Sequence, residues 1–146
     1  MREALEEAQA AYEQGDVPVG AVAVRDGRII GRGHNNKEAW GDPTAHAEIL
    51  ALRQAAKEVG SRYLVDVTVY CTMEPCPMCA GALVLARVPL LVYAVDDPKA
   101  GAAGSVLDVV RSPRLNHQVQ VTKGVLADEV RELLQRFFKE LRQSPP

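Results

Sequence analysis

The run of six apolar residues Leu-Leu-Val-Tyr-Ala-Val, within segment 89–95, constrains the fold of this chain more than any other feature. Strands that are buried on both faces have such continuous apolar runs, whereas a strand with one solvent-facing side alternates between apolar and polar residues. We therefore expect segment 89–95 to be an inner strand of a sheet that is covered by helices on both faces.

Helical and strand-like patterns alternate along the rest of the chain. Asp26-Gly27 lies between two strand-like segments, which predicts a β-hairpin. Thr44 is expected to cap a helix that follows it, and Pro75 suits the first turn of another helix. The full set of predicted elements comprises helices at 2–14, 45–59, 75–86, 106–110 and 128–142, strands at 19–25, 28–33, 67–72, 89–95 and 118–122, and loops at 35–43 and 98–105. The pattern predicts a three-layer α/β/α sandwich on a mixed sheet of about five strands, and it leaves the direction of the last strand open.

The length and composition indicate one globular domain. The chain has 146 residues, of which 47% are hydrophobic and 25% charged, as in soluble domains with a buried core. We expect one domain over residues 1–146, with a frayed end at 144–146. The N-terminus is charged and the apolar runs are short, which favours a cytoplasmic protein without a membrane partner. The net charge of -2 argues mildly against a nucleic-acid partner, although it does not exclude a local basic patch.

The three cysteines are clustered, and two of them have the spacing of metal ligands. Cys71, Cys76 and Cys79 are an odd number in a chain of cytosolic character, so a disulfide framework is not expected. Cys76 and Cys79 are three residues apart at a predicted helix start, where both sulfurs share one face and the helix dipole favours thiolates. His46 supplies a third ligand from the start of the preceding helix. Three protein ligands leave a fourth position open, which is the pattern of a catalytic zinc site.

Glu48 is the candidate proton carrier. Within a first helical turn, its carboxylate can reach the same cavity as His46 and take a proton from a metal-bound water. A C-x-x-C pair can also be a redox pair or part of a structural zinc site, but the conjunction with H-A-E makes these alternatives much weaker. A closed structural site would need a fourth ligand, and the spacing nominates none. The remaining candidates for it are Cys71, His34 and His117.

These motifs resemble those of the cytidine/deoxycytidylate deaminase superfamily and, within it, the bacterial tRNA adenosine deaminases. The likeness covers nearly the whole chain. H-A-E and P-C-x-x-C indicate the superfamily's reaction type, and Lys99, G-A-A-G-S at 101–105 and Phe137-Phe138 favour the tRNA enzymes. The matching segments are 17–22, 42–49, 74–76, 78–82, 101–105, 116–117 and 137–138.

The resemblance implies a specific reaction and a set of site residues. A zinc-bound hydroxide attacks the purine carbon that bears the amino group, and Glu48 moves protons from water to the base and to the departing ammonia. Asn35 is implied to bind the purine, although a turn residue that caps its own loop is its alternative interpretation. Ala47, Asp97 and Lys99 are implied to contact the substrate. The implied partners are a tRNA anticodon stem-loop and a second copy of the chain.

Two other functions remain alternatives. The first is deamination of a free base or nucleoside, with guanine as the favoured substrate, because Pro-Met-Cys-Ala-Gly-Ala at 77–82 also suits guanine deaminases. The second is a zinc-stabilised binding module without catalysis. Glu48 argues against the binding module, since a structural site has no need for a carboxylate beside an open coordination position.

Overall fold

The computed structural model describes residues 1–144, so Pro145 and Pro146 of the predicted frayed end lie outside the described residues. The helices are α1 (Arg2–Glu13), α2 (Lys37–Trp40), α3 (Ala47–Val59), α4 (Pro77–Leu85) and α5 (Ala127–Gln143). The strands are β1 (Gly20–Arg25), β2 (Arg28–His34), β3 (Thr68–Met73), β4 (Leu90–Val95) and β5 (Gln120–Lys123).

The five strands form one mixed sheet in the order β2-β1-β3-β4-β5. β1 is antiparallel to both of its neighbours, while β3, β4 and β5 are parallel to one another. β5, whose direction the sequence left open, is therefore parallel to β4. Helices α3 and α4 pack together on one side of the sheet, and α1 packs with α5 on the other. The predicted α/β/α sandwich with a mixed five-stranded sheet is confirmed.

The apolar run on β4 is an inner strand, as its composition predicts. Every residue of β4 after Leu90 is buried, because side chains from both helical layers cover its two faces. The carboxyl ends of β3 and β4 lie side by side in parallel, and the segments that leave these two ends build one wall of the site described below.

Helix α3 begins two residues later than predicted. The prediction that Thr44 caps this helix is wrong, because Thr44 is engaged in a local turn: its N–H and hydroxyl both donate to the Asp42 carboxylate, at 2.8 and 2.7 Å. His46 is the N-cap residue instead. The first helical N–H, that of Ala47, donates to Oδ1 of Asn35 at 3.0 Å.

Helix α4 also begins later than predicted. Pro77, not Pro75, occupies its first turn, and Cys76 is the N-cap residue with extended backbone angles. Because the ring of Pro77 fixes the residue before it in an extended conformation, the helix cannot begin at Pro75.

The predicted helix at 106–110 is wrong. The segment is irregular, with an isolated bridge between Ala103 and Asp108, and the N–H groups of Val106 and Leu107 both donate to the Gly101 carbonyl. These local hydrogen bonds replace the helical pattern. Two smaller differences are the short helix α2 inside the predicted loop at 35–43 and the later position of β5.

None of the helices within residues 1–144 is long and apolar enough to cross a membrane.

Close packing of α3 on β2 requires glycine at position 31. A Cβ atom there would lie 2.2 Å from the carbonyl oxygen of Ala51 in α3. Gly31→Ala should therefore lower the free energy of unfolding by about 1–3 kcal/mol, the usual cost of overpacking a core. The measurement is urea unfolding followed by circular dichroism.

Gly81→Ala is the matched control for this prediction. A Cβ at Gly81, inside α4, meets nothing within 4 Å, so the substitution should leave stability equal or raise it by about 0.5–1 kcal/mol. Equal unfolding midpoints for the Gly31 and Gly81 variants would show that α3 and β2 are not in this close contact.

Candidate active site

Two residues that immediately precede helices point their side chains at one spot. His46 is the N-cap of α3 and Cys76 is the N-cap of α4, and both have extended backbones with ψ angles of 150° and 173°. They lie one position before the first turns in which the sequence pattern placed them. Cys79 follows in the first turn of α4. The two helix starts thus bring an imidazole and two sulfurs together.

The three ligand atoms have the spacing that a tetrahedral metal needs. His46 Nδ1 lies 3.6 Å from Cys76 Sγ and 3.5 Å from Cys79 Sγ, and the three atoms lie within 4.8 Å of one another. A tetrahedral zinc ion with bonds of about 2.0 Å to nitrogen and 2.3 Å to sulfur would hold these atoms about 3.6 Å apart. The donor set and its spacing therefore fit zinc.

The other candidate ligands lie elsewhere. Cys71 is buried in β3 and its Sγ donates to the Met73 carbonyl at 2.9 Å. His117 Nε2 lies 2.7 Å from the Val88 carbonyl, and His34 faces Glu7. Among the described residues, 1–144, the only group of at least three possible ligands is His46, Cys76 and Cys79.

The local electrostatics prepare one of the sulfurs for metal binding. A hydrogen bond from the Cys79 thiol, aided by His46, lowers the pKa of Cys76 to about 4 despite its partial burial. The pKa of Cys79 is raised, because its proton is held by the Cys76 sulfur and its surroundings are desolvated. The hydrogen bond to Cys76 also raises the pKa of His46. Cys76 is therefore a thiolate at neutral pH, and a metal ion would displace the proton of Cys79.

Glu48 lies in the first turn of α3, two residues after His46, and only 3% of its surface is exposed. Burial raises its pKa above the ordinary value of a glutamate. A carboxyl group whose pKa is moved toward neutrality can both accept and return a proton near physiological pH. The arrangement thus places three atoms that could hold a metal ion near one buried carboxyl group that could carry a proton.

A cavity of about 370 Å³ opens above these groups. Asn35, Asp97 and Lys99, which the family resemblance implies to contact substrate, line it together with His46 and Glu48. The other lining residues are Val17, Val19, Lys37, Met73, Glu74, Cys76, Pro98 and Phe138. Ala47 and Cys79 are not among the lining residues. Its volume is in the range of small-molecule binding sites, and several polar groups converge on walls whose accessible surface is mostly apolar.

Asn35 is held in place by the start of α3. It is 4% exposed, and its Oδ1 accepts the N–H of Ala47, a residue of predicted substrate contact. Asn35 therefore does not cap its own loop, which was the alternative interpretation of this residue. Because the oxygen is used by Ala47, the amide nitrogen is the group that Asn35 can present to the cavity.

The sequence does not reveal two buried carboxylates, of which Glu74 lines the cavity. Glu74 is 3% exposed and accepts three backbone N–H groups from segment 97–105. Asp16 is 1% exposed and accepts the N–H groups of its neighbour Val17 and of the distant Glu38. No local sequence pattern reveals these contacts, because Glu38 lies 22 residues from Asp16 and the partners of Glu74 lie 23 to 31 residues from it. The one available signal was that Glu74 directly precedes Pro75-Cys76.

Comparison with known proteins agrees with the chemistry of this site. The MafB19-like deaminase family matches residues 1–142. The tRNA-specific adenosine deaminase of Bacillus subtilis (strain 168) is 47% identical over 143 residues, which cover 98% of this chain and 89% of the relative. The tRNA-specific adenosine deaminase of Aquifex aeolicus (strain VF5) is 44% identical over 144 residues, or 99% of this chain and 95% of the relative.

Two solved structures share this fold but differ in their sequence identity to this chain. One comes from a study of A-to-I editing by tRNA:A34 deaminases and has a TM-score of 0.88 at 42% identity, with 92% of this chain and 97% of that chain covered. A guanine deaminase from Nitrosomonas europaea has a TM-score of 0.77 at 26% identity, with 93% and 81% covered. The chain therefore belongs to the MafB19-like deaminases and, more narrowly, to the family of tRNA-specific adenosine deaminases.

Proposed function

We propose that this chain hydrolyses adenosine to inosine at the wobble position of a tRNA anticodon loop and releases ammonia. The observation that carries the proposal is the meeting of His46, Cys76 and Cys79 beside the buried carboxyl of Glu48, at a cavity of about 370 Å³. The identity of 47% and 44% to two tRNA-specific adenosine deaminases supports the choice of substrate.

We propose that the metal is one zinc ion, held by His46 and the two cysteines. When bound with an open position, zinc supplies an activated water for attack on the base. The donor set supports this choice, since one imidazole and two thiolates neutralise a dication and are ligands that zinc prefers.

Glu48 is the proposed proton carrier. Its carboxylate accepts one proton of the attacking water and passes it to the ring nitrogen next to the reacting carbon. It then takes the second proton from the hydroxyl group now bound to that carbon and gives it to the amino group, which leaves as ammonia while the carbonyl forms. Burial supports this role, because a desolvated carboxyl with a raised pKa binds a proton more readily than an exposed one.

Asn35, Ala47, Asp97 and Lys99 form the proposed substrate-binding set. The Nδ2 group of Asn35 donates to the purine, and the backbone N–H of Ala47 fixes the amide in the orientation that makes this possible. Asp97 and Lys99 lie at the mouth of the cavity, with Lys99 exposed. A lysine at that place attracts phosphates next to the target nucleotide. Since the target must leave its stack to enter, a single-stranded loop is the fitting substrate.

An RNA assay with matched controls tests the proposed substrate. An anticodon stem-loop with adenosine at the wobble position should be converted to inosine, while the same RNA with that adenosine moved into the stem should remain unchanged. Free guanine and cytidine should also remain unchanged. Mass spectrometry of the digested RNA measures the product. Conversion of guanine with an inert stem-loop would transfer the assignment to the alternative, a free-base deaminase.

The proposed homodimer would cover an apolar surface formed by α3 and α4. Leu85 is 74% exposed there, at the edge of a shallow depression that Ile49, Leu52 and Ala82 also line. Exposed apolar surface of this kind marks an association site, and a second copy of the chain can cover it symmetrically.

Leu85→Glu should convert the dimer into a monomer, because it would bury a charge in the interface. Light scattering after gel filtration should give the parent about twice the 15.8 kDa of one chain, and the variant about one chain mass. Leu141→Glu is the matched control, since Leu141 is 57% exposed on α5 and the variant should keep the parent's mass. A monomeric parent would contradict the proposal.

We also propose that residues 1–146 act as one domain in the cytoplasm. One continuous sheet and its two helical layers support the single domain. The tRNA substrate and three free thiols support the location, because thiols stay reduced there.

A further inference from the structure

Glu74 is a buried carboxylate next to the cavity that neither binds the proposed metal nor moves a proton. Its Oε1 accepts the N–H of Asp97 at 3.0 Å and the hydroxyl of Ser105. Its Oε2 accepts the N–H groups of Ala103 at 2.9 Å and Ser105 at 3.1 Å. All of these donors belong to the segment 97–105, so one side chain organises the whole segment.

The hydrogen bonds leave Glu74 no free capacity for chemistry. An ionised carboxylate has about four acceptor positions, and four donors occupy them. Gly101 also lies so close that a Cβ there would be 2.4 Å from the carboxylate. The segment therefore encloses Glu74, and the role left to it is to hold this segment in position.

A chain of contacts connects Glu74 to the mouth of the cavity. The N–H that Glu74 binds belongs to Asp97, whose own carboxylate accepts the N–H groups of Lys99 at 3.0 Å and Ala100 at 3.2 Å. The N–H of Ala102 donates to the Pro75 carbonyl at 2.8 Å, beside the metal-ligand cysteine. The position of Lys99 relative to the metal group thus depends on Glu74.

We propose that Glu74 is a positioning residue for the RNA substrate: its carboxylate fixes the segment 97–105 so that Lys99 meets the phosphates beside the target nucleotide. The inference rests on the proposed RNA substrate for the contact made by Lys99. The anchoring of the segment by Glu74 does not depend on that substrate.

Glu74→Gln should weaken RNA binding more than it slows the chemistry. In the glutamine side chain, an NH2 group replaces one carboxylate oxygen and faces at least one backbone N–H group, whose hydrogen bond it cannot accept. The Ser105 hydroxyl can rotate and accept a hydrogen bond from this NH2 group. We expect the KM for the anticodon stem-loop to rise about tenfold or more, from the loss of charged hydrogen bonds, and kcat to fall much less than KM rises. A residue of merely structural importance would reduce the amount of active enzyme and leave KM unchanged.

A double-variant test separates Glu74 from a second buried carboxylate, that of Asp16. Glu74→Gln combined with Lys99→Ala should raise KM by much less than the product of the two single effects, because Glu74 acts through Lys99. Asp16→Asn is the matched control, because Asp16 is also buried but does not hold the segment that carries Lys99. Its Oδ2 accepts the N–H of Glu38 at 2.8 Å instead. Its effect should multiply with that of Lys99→Ala.

Hydrogen exchange tests the anchoring without RNA. Amides of 97–105 should exchange faster in Glu74→Gln, while those of β1 stay protected. Ser105→Ala removes one donor without adding a polar group, so it gives the same test, with a smaller increase, if the glutamine variant does not fold. Unchanged exchange together with unchanged KM would overturn the inference. If the parent enzyme did not act on the stem-loop, the proposed substrate and the RNA part of this inference would both be overturned. The hydrogen-exchange result would then be the only test of whether Glu74 anchors segment 97–105.

Discussion

Glu48→Gln should abolish inosine formation while the protein keeps its fold and its metal. Glutamine has nearly the same shape as glutamate but cannot accept the proton of the attacking water or return it to the leaving amino group. Loss of one general acid–base group costs about 10²–10⁴ in rate. Because Glu48 serves at more than one proton transfer in the proposed reaction, we expect a loss at the upper end of this range.

The stability of the Glu48 variant separates a chemical defect from a folding defect. Burial raises the pKa of Glu48 in the folded protein, so its ionised form costs stability, and this cost grows as the pH rises above the unfolded-state pKa. Replacing Glu48 with a neutral group should therefore leave the Tm of the metal-free protein equal or higher at neutral pH. The measurements are single-turnover inosine formation, metal content and Tm. Glu58→Gln, an exposed position on the same helix, is the control with parental activity. Activity of the Glu48 variant within tenfold of the parent would mean that another group moves the proton.

Cys76→Ala should remove the metal and, with it, all measurable deamination. Two remaining ligands cannot close a stable site, and Cys76 is the sulfur whose pKa is lowered to about 4 and so is ionised first. Metal that binds only the folded state also stabilises it, by about 4 kcal/mol when free metal is 1,000-fold above its Kd. The parent should therefore lose several degrees of Tm in chelator, whereas the Tm of Cys76→Ala should not respond to chelator.

Cys71→Ala is the matched control for the metal prediction. Cys71 is buried in β3 outside the ligand group, and its thiol donates to the Met73 carbonyl. This variant should keep one metal ion per chain and respond to chelator as the parent does. If Cys71→Ala lost the metal and Cys76→Ala retained it, the assignment of ligands would be wrong.

The sheet and its helices could be predicted because their hydrophobic patterns are local. The apolar run of β4 and the Asp26-Gly27 turn placed strands to within a residue or two. The starts of α3 and α4 were missed because contacts from elsewhere decide them: Asn35 takes the first N–H of α3, and the ring of Pro77 sets the first turn of α4. At 106–110, the close hydrogen bonds to the Gly101 carbonyl prevail over helix-like spacing.

The group of metal-ligand candidates could be predicted because its residues belong to two short motifs with characteristic spacing. The wall of the cavity could not be predicted in this way. His46, Cys76 and Cys79 meet as the two motifs indicate. Glu74 holds partners that lie 23 to 31 residues further along the chain, and no local pattern reveals such a contact. The placement of Phe138 beside the cavity likewise depends on how α5 packs against the sheet.

The most direct test of the central claim is X-ray absorption at the zinc edge of the purified protein. We expect one zinc ion per chain with two sulfurs at about 2.3 Å, one imidazole nitrogen at about 2.0 Å and one further light atom at the open position. A spectrum with three or four sulfurs, or protein that takes up no metal although it is folded, would contradict the account.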